Sequence, residues 1–160
     1  MSVRLNFSSD VAAPVDTVWG HVSSMAGVNY ELGPWVTMSY PPRYASIEGA
    51  TAEAEPLVPD RTLFHSWIML ARLIPLDRHA LGMDRILPGE GFEERSHSLT
   101  QRVWLHHRRL SAVAGGTRVT DLLEFEPRLS LCAPTLRFII HLLFQHRHRR
   151  LRRHFGEITG

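Results

Sequence analysis

The sequence contains no lysine. All 18 of its basic residues are arginine, which excludes Schiff-base chemistry on a lysine amine. Cysteine occurs once, as Cys132, so no disulfide can form within the chain, as suits a reducing compartment. Its setting reads as a small apolar residue beside the last helix rather than a nucleophile. There is no opening basic-then-apolar segment and no apolar run of about 20 residues, so a soluble cytoplasmic protein is expected. Metal-binding patterns are missing too. Ten histidines are present, but neither Cys-x-x-Cys nor His-Glu-x-x-His occurs. His106 and His107 are neighbours on a strand and point to opposite faces. His141, His146, His148 and His154 are never three or four apart. Gly89-Glu90-Gly91 lacks the setting of a phosphate loop, and no Gly-x-Ser-x-Gly elbow is found. No metal and no cofactor is expected.

What is present is a core. Hydrophobic residues make up 44% of 160 positions, which excludes disorder and makes one domain over residues 1–160 the natural reading. The formal charge of +2 is too small to imply a polyanion partner. The last third organises the rest. Arg102 to Ala114 and Thr117 to Pro127 read as strands joined at Gly115-Gly116. A helix follows from about Pro134 to Phe155, with Pro134 suited to its first turn and Gly156 to its end. Leu136, Ile140, Leu143, Leu151 and Phe155 give that helix an apolar face.

Upstream, Val3 to Val11 alternates as a strand. Pro14 to Met25 and Ala26 to Leu32 read as short helices, and Trp35 to Tyr40 as a strand ended by Pro41-Pro42. Arg43 to Pro59 has three Glu and two Pro and reads as a loop, with one short strand near Tyr44 to Ile47. Thr62 to Ile74 is apolar with mixed period, a strand or a short helix, ended by Pro75. Asp77 to Leu87 and Phe92 to Gln101 form a hairpin.

The runs Trp104-Leu105-His106-His107-Arg108, Gly115-Gly116-Thr117-Arg118-Val119-Thr120-Asp121 and Leu143 to Leu151 resemble the closing segment of the SRPBCC superfamily. That superfamily groups START domains, Bet v 1-like proteins, polyketide cyclases and coenzyme Q-binding proteins. Ala13-Pro14-Val15-Asp16-Thr17-Val18-Trp19 is similar to its first strand-to-helix junction. The resemblance implies an α+β helix-grip fold: a curved antiparallel β-sheet wrapped around a long C-terminal α-helix, with two short helices after the first strand. It also implies a ligand pocket between sheet and helix. Fold analogy fixes neither ligand nor activity.

Register decides what lines such a pocket. With Gly115-Gly116 as the loop, Ala114 pairs with Thr117 and Leu110 with Asp121. One face then carries Trp104, His106, Arg108, Leu110, Asp121, Leu123 and Phe125, and it meets Leu136, Ile140 and Leu143 of the helix. Arg108 and Asp121 fall inside and diagonal to one another, where buried charges must pair. Extending the register backward brings Glu93, Arg95, His97 and Leu99 to the same face. Arg147 falls in the inward stripe, to meet a carboxylate or a ligand anion, unless the helix has by then passed the sheet edge into water.

Three functions are compatible with these residues. The first is binding of a small hydrophobic or amphipathic molecule (a lipid, polyketide, isoprenoid or aromatic compound). The second is a cyclase or dehydratase with His106 as acid/base, oriented by Arg108 and Asp121. The third is a nucleic-acid or membrane-surface module using Arg147, Arg149, Arg150, Arg152 and Arg153. The bland reading of that basic run is a solvated helix end suited to the helix dipole, and it is preferred because single-strand binders interleave more aromatics.

Overall fold

The computed structural model describes residues 2–47, 57–58 and 60–158. In chain order the elements are β1 (Val3–Val11), α1 (Val15–Val22), α2 (Met25–Leu32), β2 (Val36–Met38), β3 (Thr62–Leu70), β4 (Ile74–Leu87), β5 (Gly91–Ser98), β6 (Gln101–Val113), β7 (Gly116–Pro127) and α3 (Ala133–Phe155). The seven strands form one antiparallel sheet ordered β1-β7-β6-β5-β4-β3-β2. The sheet curls around α3, with α1 and α2 bracing one end. This is the helix-grip fold.

The β6–β7 hairpin turns one residue earlier than the Gly-Gly pair suggests. Val113 pairs with Gly116, so Ala114 and Gly115 make the turn, and Gly115 takes the positive φ of 82° that glycine reaches without steric cost. Gly116 is needed for a different reason: a Cβ there would lie 2.0 Å from the Val11 carbonyl oxygen of β1. The pairing therefore shifts by two residues, which keeps every side chain on its face. Leu110 sits opposite Val119, and Arg108 sits directly opposite Asp121 instead of diagonal to it.

One strand earlier the register slips by one. Glu94 pairs with His106 and Ser96 with Trp104, so Glu94, Ser96 and Ser98 face inward, and Glu93, Arg95 and His97 face out. Leu99 is exposed in the turn. The cause is the position of the turn: with Ser96 opposite Trp104, the β5–β6 connection is centred on Thr100 and not between Gln101 and Arg102, an odd shift that exchanges the faces. The expected strand near Tyr44 is a 3-10 turn at Pro42–Tyr44; positions 48–56 and 59 of the expected loop lie outside the described residues. Pro75 does not end an element. It lies near the start of β4, next to a bulge at Ile68/Met69, where a missing N–H is tolerated.

α3 keeps its expected ends: Pro134 in its first turn and Gly156 past its last. Its buried stripe is Ile140, Phe144, Arg147, His148 and Leu151, rotated from the expected one, so Leu136 and Leu143 are only half-buried at its flank. The helix rests mainly on edge strand β1 and against α2, and also touches β7. Two apolar clusters result. One joins α1, β3, β4 and the end of α3 through Val18, Trp19, Phe64, Met83, Val119 and Leu151. The other joins β1, β7 and the middle of α3 through Val3, Leu123, Phe125, Ile140 and Phe144. Between them lies a band of buried charge.

Candidate functional site

The band starts from side chains that alternation alone sends inward. On β6, His106 and Arg108 face the interior with Trp104 and Leu110; on β7, Asp121 does so with Leu123 and Phe125. Arg108 is fully buried. Its Nε and Nη2 donate to the two Asp121 oxygens at 2.7 Å each, and Nη1 donates to Glu31 Oε1 and Oε2 at 2.8 and 3.0 Å. Glu31 comes from α2 and is also fully buried. It accepts from Arg147 Nε at 3.0 Å and Nη2 at 2.9 Å. Arg147 is therefore inside, its guanidinium 4.8 Å from the Phe144 ring centre, and its partner is Glu31 rather than Asp121 or water.

Asp121 accepts two further bonds, from His106 Nε2 at 2.8 Å and His148 Nε2 at 2.9 Å. The other nitrogen of His106 faces Glu94 Oε2 at 3.4 Å. Glu94 in turn accepts from His79 Nε2 at 2.7 Å and Ser96 Oγ at 2.6 Å. The far end of the chain is Ser9 Oγ, 2.8 Å from His148 Nδ1 and accepting from Arg152 Nη1 at 2.7 Å. An unbroken line of acids and bases thus runs His79–Glu94–His106–Asp121–His148–Ser9, with the branch Asp121–Arg108–Glu31–Arg147.

The electrostatics follow. Burial pushes the Glu94 carboxyl up, but hydrogen bonds and charge from His106 and His79 outweigh it and hold it well below the usual range. Burial is likewise overcome at Asp121 by Arg108 and His106, and at Glu31 by Arg108 and Arg147. Burial opposes the charge of Arg108, and Asp121 with Glu31 overcomes it and raises the guanidinium above its ordinary value. His106 lies between two of these carboxylates, Glu94 and Asp121. Two buried guanidinium groups, Arg108 and Arg147, thus stand among three buried carboxylates, Glu31, Asp121 and Glu94.

This arrangement changes the meaning of the sequence-derived site. Trp104, His106, Arg108, Leu110, Asp121, Leu123, Phe125, Ile140 and Arg147 do converge between sheet and helix, with Leu136 and Leu143 at the edge. The charged members, however, are occupied by one another. His106 is 3% exposed, with both nitrogens bonded and Phe92 and Phe144 ring edges against it. The middle of the concave face is a salt-bridged core instead of an open lumen. The basic run also divides: Arg147 is inside, Arg150 lies 4.0 Å over the Tyr30 ring, and Arg152 bonds Ser9 and Glu157. Only Arg149 and Arg153 of the five are exposed. Cys132 is exposed rather than packed beside the helix.

Glu31, Glu94, His79 and His148 were missed. Glu31 carried a signal: it is the one acid of α2, next to Leu32, and two inward arginines needed more than one carboxylate. Depressions mark the surface at two places. One of about 380 Å³ lies on the outer side of β1, β7 and β6, around Asn6, His107 and Leu122. The other, about 300 Å³, lies between edge strand β1 and α3, around Phe7, Gln145, His148 and Arg149. Among the described residues no cluster of three His, Cys, Asp or Glu suits a metal ion, and no helix is long and apolar enough to cross a membrane.

The comparisons agree with this architecture. The fold is shared with a Chromobacterium violaceum protein, CV1439, at TM-score 0.66 and 12% identity over 98% of both chains. A START superfamily protein from Mycobacterium smegmatis matches at 0.65 and 9%, over 98% of this chain and 99% of that one. Ara h 8.0201 matches at 0.58 and 9%, over 94% and 98%. The chain thus shares the helix-grip fold of these proteins. It belongs to the family described as a domain of unknown function, DUF8410, whose model matches residues 9–155. No curated protein matches it in sequence.

Proposed function

We propose that this chain, acting as one domain, binds a small hydrophobic or amphipathic molecule between α3 and the β3–β5 part of the concave face. One observation carries the reading. α3 rests to one side, mainly on edge strand β1 and against α2, and on the inward face Ser66 Oγ and Gln101 Oε1 are buried without a hydrogen-bond partner among the described residues. Each such orphan costs about 1–3 kcal/mol, and a guest carrying a hydroxyl or carbonyl removes that cost. The neighbouring surface suits an apolar body: Phe64 with Tyr44 stacked on it, Met83, Trp104, and the half-buried flank of α3 at Leu136 and Leu143. Arg108, Asp121 and His106 form the floor of this site and its electrostatic support, not its contact groups. The cyclase or dehydratase reading would require His106 to act from between Glu94 and Asp121, which its two ring nitrogens face.

Native mass spectrometry of freshly purified protein, and titration with the apolar fluorophore 1-anilinonaphthalene-8-sulfonate, test the proposal. Ser66→Phe places a ring at the proposed site and is expected to weaken fluorophore binding by about tenfold or more, roughly 1.4 kcal/mol. Arg149→Ala leaves it unchanged. Undiminished binding by a folded Ser66→Phe variant overturns the assignment.

A further inference from the structure

Most of the exposed large apolar side chains among the described residues are gathered at one end of the molecule; Val58, Trp67 and Leu122 are exposed outside this set. The β3–β4 tip carries Leu73, 80% exposed, followed by Ile74 and Leu76. The β5–β6 turn carries Leu99. The segment leading into α3 carries Leu129 and Leu131, the latter 91% exposed, and the outer face of the first half of α3 carries Phe138, Ile139 and Leu142. Trp35, 64% exposed, stands beside the β3–β4 tip, where Ala71 N donates to its carbonyl at 2.7 Å.

Hydrogen bonds tie these segments into a ring. Leu99 N donates to Asp77 of β4 at 2.9 Å. Arg128 N donates to Thr100 O at 3.0 Å, and its Nε to Ser98 O at 2.9 Å. α3 closes the circuit where His146 Nε2 donates to Gly33 O at 2.7 Å. The opposite end of the sheet, with the β4–β5 and β6–β7 turns, has no comparable set of exposed apolar residues among those described.

The charge of this ring has one sign. Residues 67–76, 97–104 and 127–145 contain no aspartate or glutamate, but they include Arg72, Arg102, Arg128 and Arg137. Arg102 pairs with Glu126 at 3.6 Å; Arg72 and Arg137 are exposed and form no ion pair among the described residues. A second bordering acid, Asp77, has its oxygens engaged by Leu99 N, Ser98 Oγ and Thr100 Oγ1. A contiguous apolar surface of this extent marks an interaction site. Leucine, phenylalanine and tryptophan beside arginine, without acids, match the boundary between acyl chains and anionic headgroups. A surface of uniform negative charge fits such a ring better than a protein face of mixed charge.

We propose that this ring docks the protein on an anionic lipid bilayer, with Leu73, Leu131 and Phe138 entering the acyl boundary and Arg72 and Arg137 meeting headgroup phosphates. The inference does not depend on what the interior binds.

Co-sedimentation with phosphatidylcholine vesicles, with and without phosphatidylserine, tests it. Binding is expected to anionic vesicles, weaker to neutral ones, and reduced by salt. Leu131→Glu and Phe138→Glu, on exposed positions that leave the fold intact by circular dichroism, are each expected to lower partitioning about tenfold or more. Brominated acyl chains are expected to quench the fluorescence of Trp35, and Trp35→Phe to abolish that quenching. Three results overturn the proposal. One is no binding to either vesicle. Another is vesicle binding that survives the rim variants but is lost with Arg149→Ala/Arg153→Ala, which assigns it to the helix end. The third is concentration-dependent self-association through the rim that lipid does not compete with.

Discussion

Replacing Arg108 with methionine isolates the buried ionic band. Methionine keeps much of the arginine stem and its packing, while the guanidinium and its four bonds to Asp121 and Glu31 disappear. Both carboxylates stay buried. Asp121 retains His106 and His148, and Glu31 retains Arg147, so the loss is partial at each. Breaking one buried pair costs about 3–5 kcal/mol, and the expected effect lies in that range. Measured against a total of about 5–15 kcal/mol for a domain, one substitution removes a large fraction of the stability. Urea unfolding followed by tryptophan fluorescence reads the change. Its origin shows in the pH dependence. In the wild type the folded carboxyls lie below their unfolded values of about 4, so their contribution is present above that pH and is lost as pH falls through the folded values. Without the guanidinium, burial raises them, and the folded variant gains protons on acidification. The gap between the two proteins should therefore narrow from about pH 7 to about pH 4.5. A gap below about 1 kcal/mol, or one that does not change with pH, refutes the electrostatic account.

Ser9→Ala leaves His148 Nδ1 and Arg152 without their shared hydroxyl and is expected to cost about 1–2 kcal/mol by the same unfolding assay. Phe144→Ala empties the buried centre of α3 and is expected to cost about 3–5 kcal/mol, with an effect independent of pH. His21 has its proton affinity lowered, first by burial, with Glu31 opposing and the positive charges of His154, Arg108 and Arg147 adding to it. Its stabilising contribution is present above about pH 6.5, the unfolded value, and declines as pH falls through the lower folded one. His21→Phe should flatten the stability profile between about pH 7 and pH 5; an unchanged slope there assigns the titration elsewhere.

Much of the fold was written in local pattern. The β6–β7 hairpin and α3 could be read because a period of two meets a glycine turn and then a helical stripe bounded by Pro134 and Gly156. The faces of Arg108, Asp121 and His106 survived a two-residue error at the turn, since an even shift preserves the side. The same reading failed between β5 and β6, where a turn centred on Thr100 exchanged Glu93, Arg95 and His97 for Glu94, Ser96 and Ser98. No local pattern reports where that turn falls. The site was less legible than the fold. That Arg108 needs Asp121 follows from adjacent strands, but that it also needs Glu31, 77 positions away, depends on where α2 docks. His148 was assigned to a helix end and instead reaches Ser9 of β1, because the buried stripe of α3 is centred on Phe144.

The alternation of acids and bases in the interior also constrains how the sequence can drift. Neutralising any one member strands its neighbours on both sides, so a lone change is costly at Glu31, Arg108, Asp121 or Arg147. Two opposite changes made together leave the sum of charges untouched. Tolerated histories should therefore run through compensated doubles, and collected relatives should show Glu31 varying with Arg147, and Arg108 with Asp121. Ser9, at the end of the line with only a hydroxyl to offer, is the position most free to change alone. The band thus acts as a set of interlocked letters within an otherwise permissive hydrophobic alphabet.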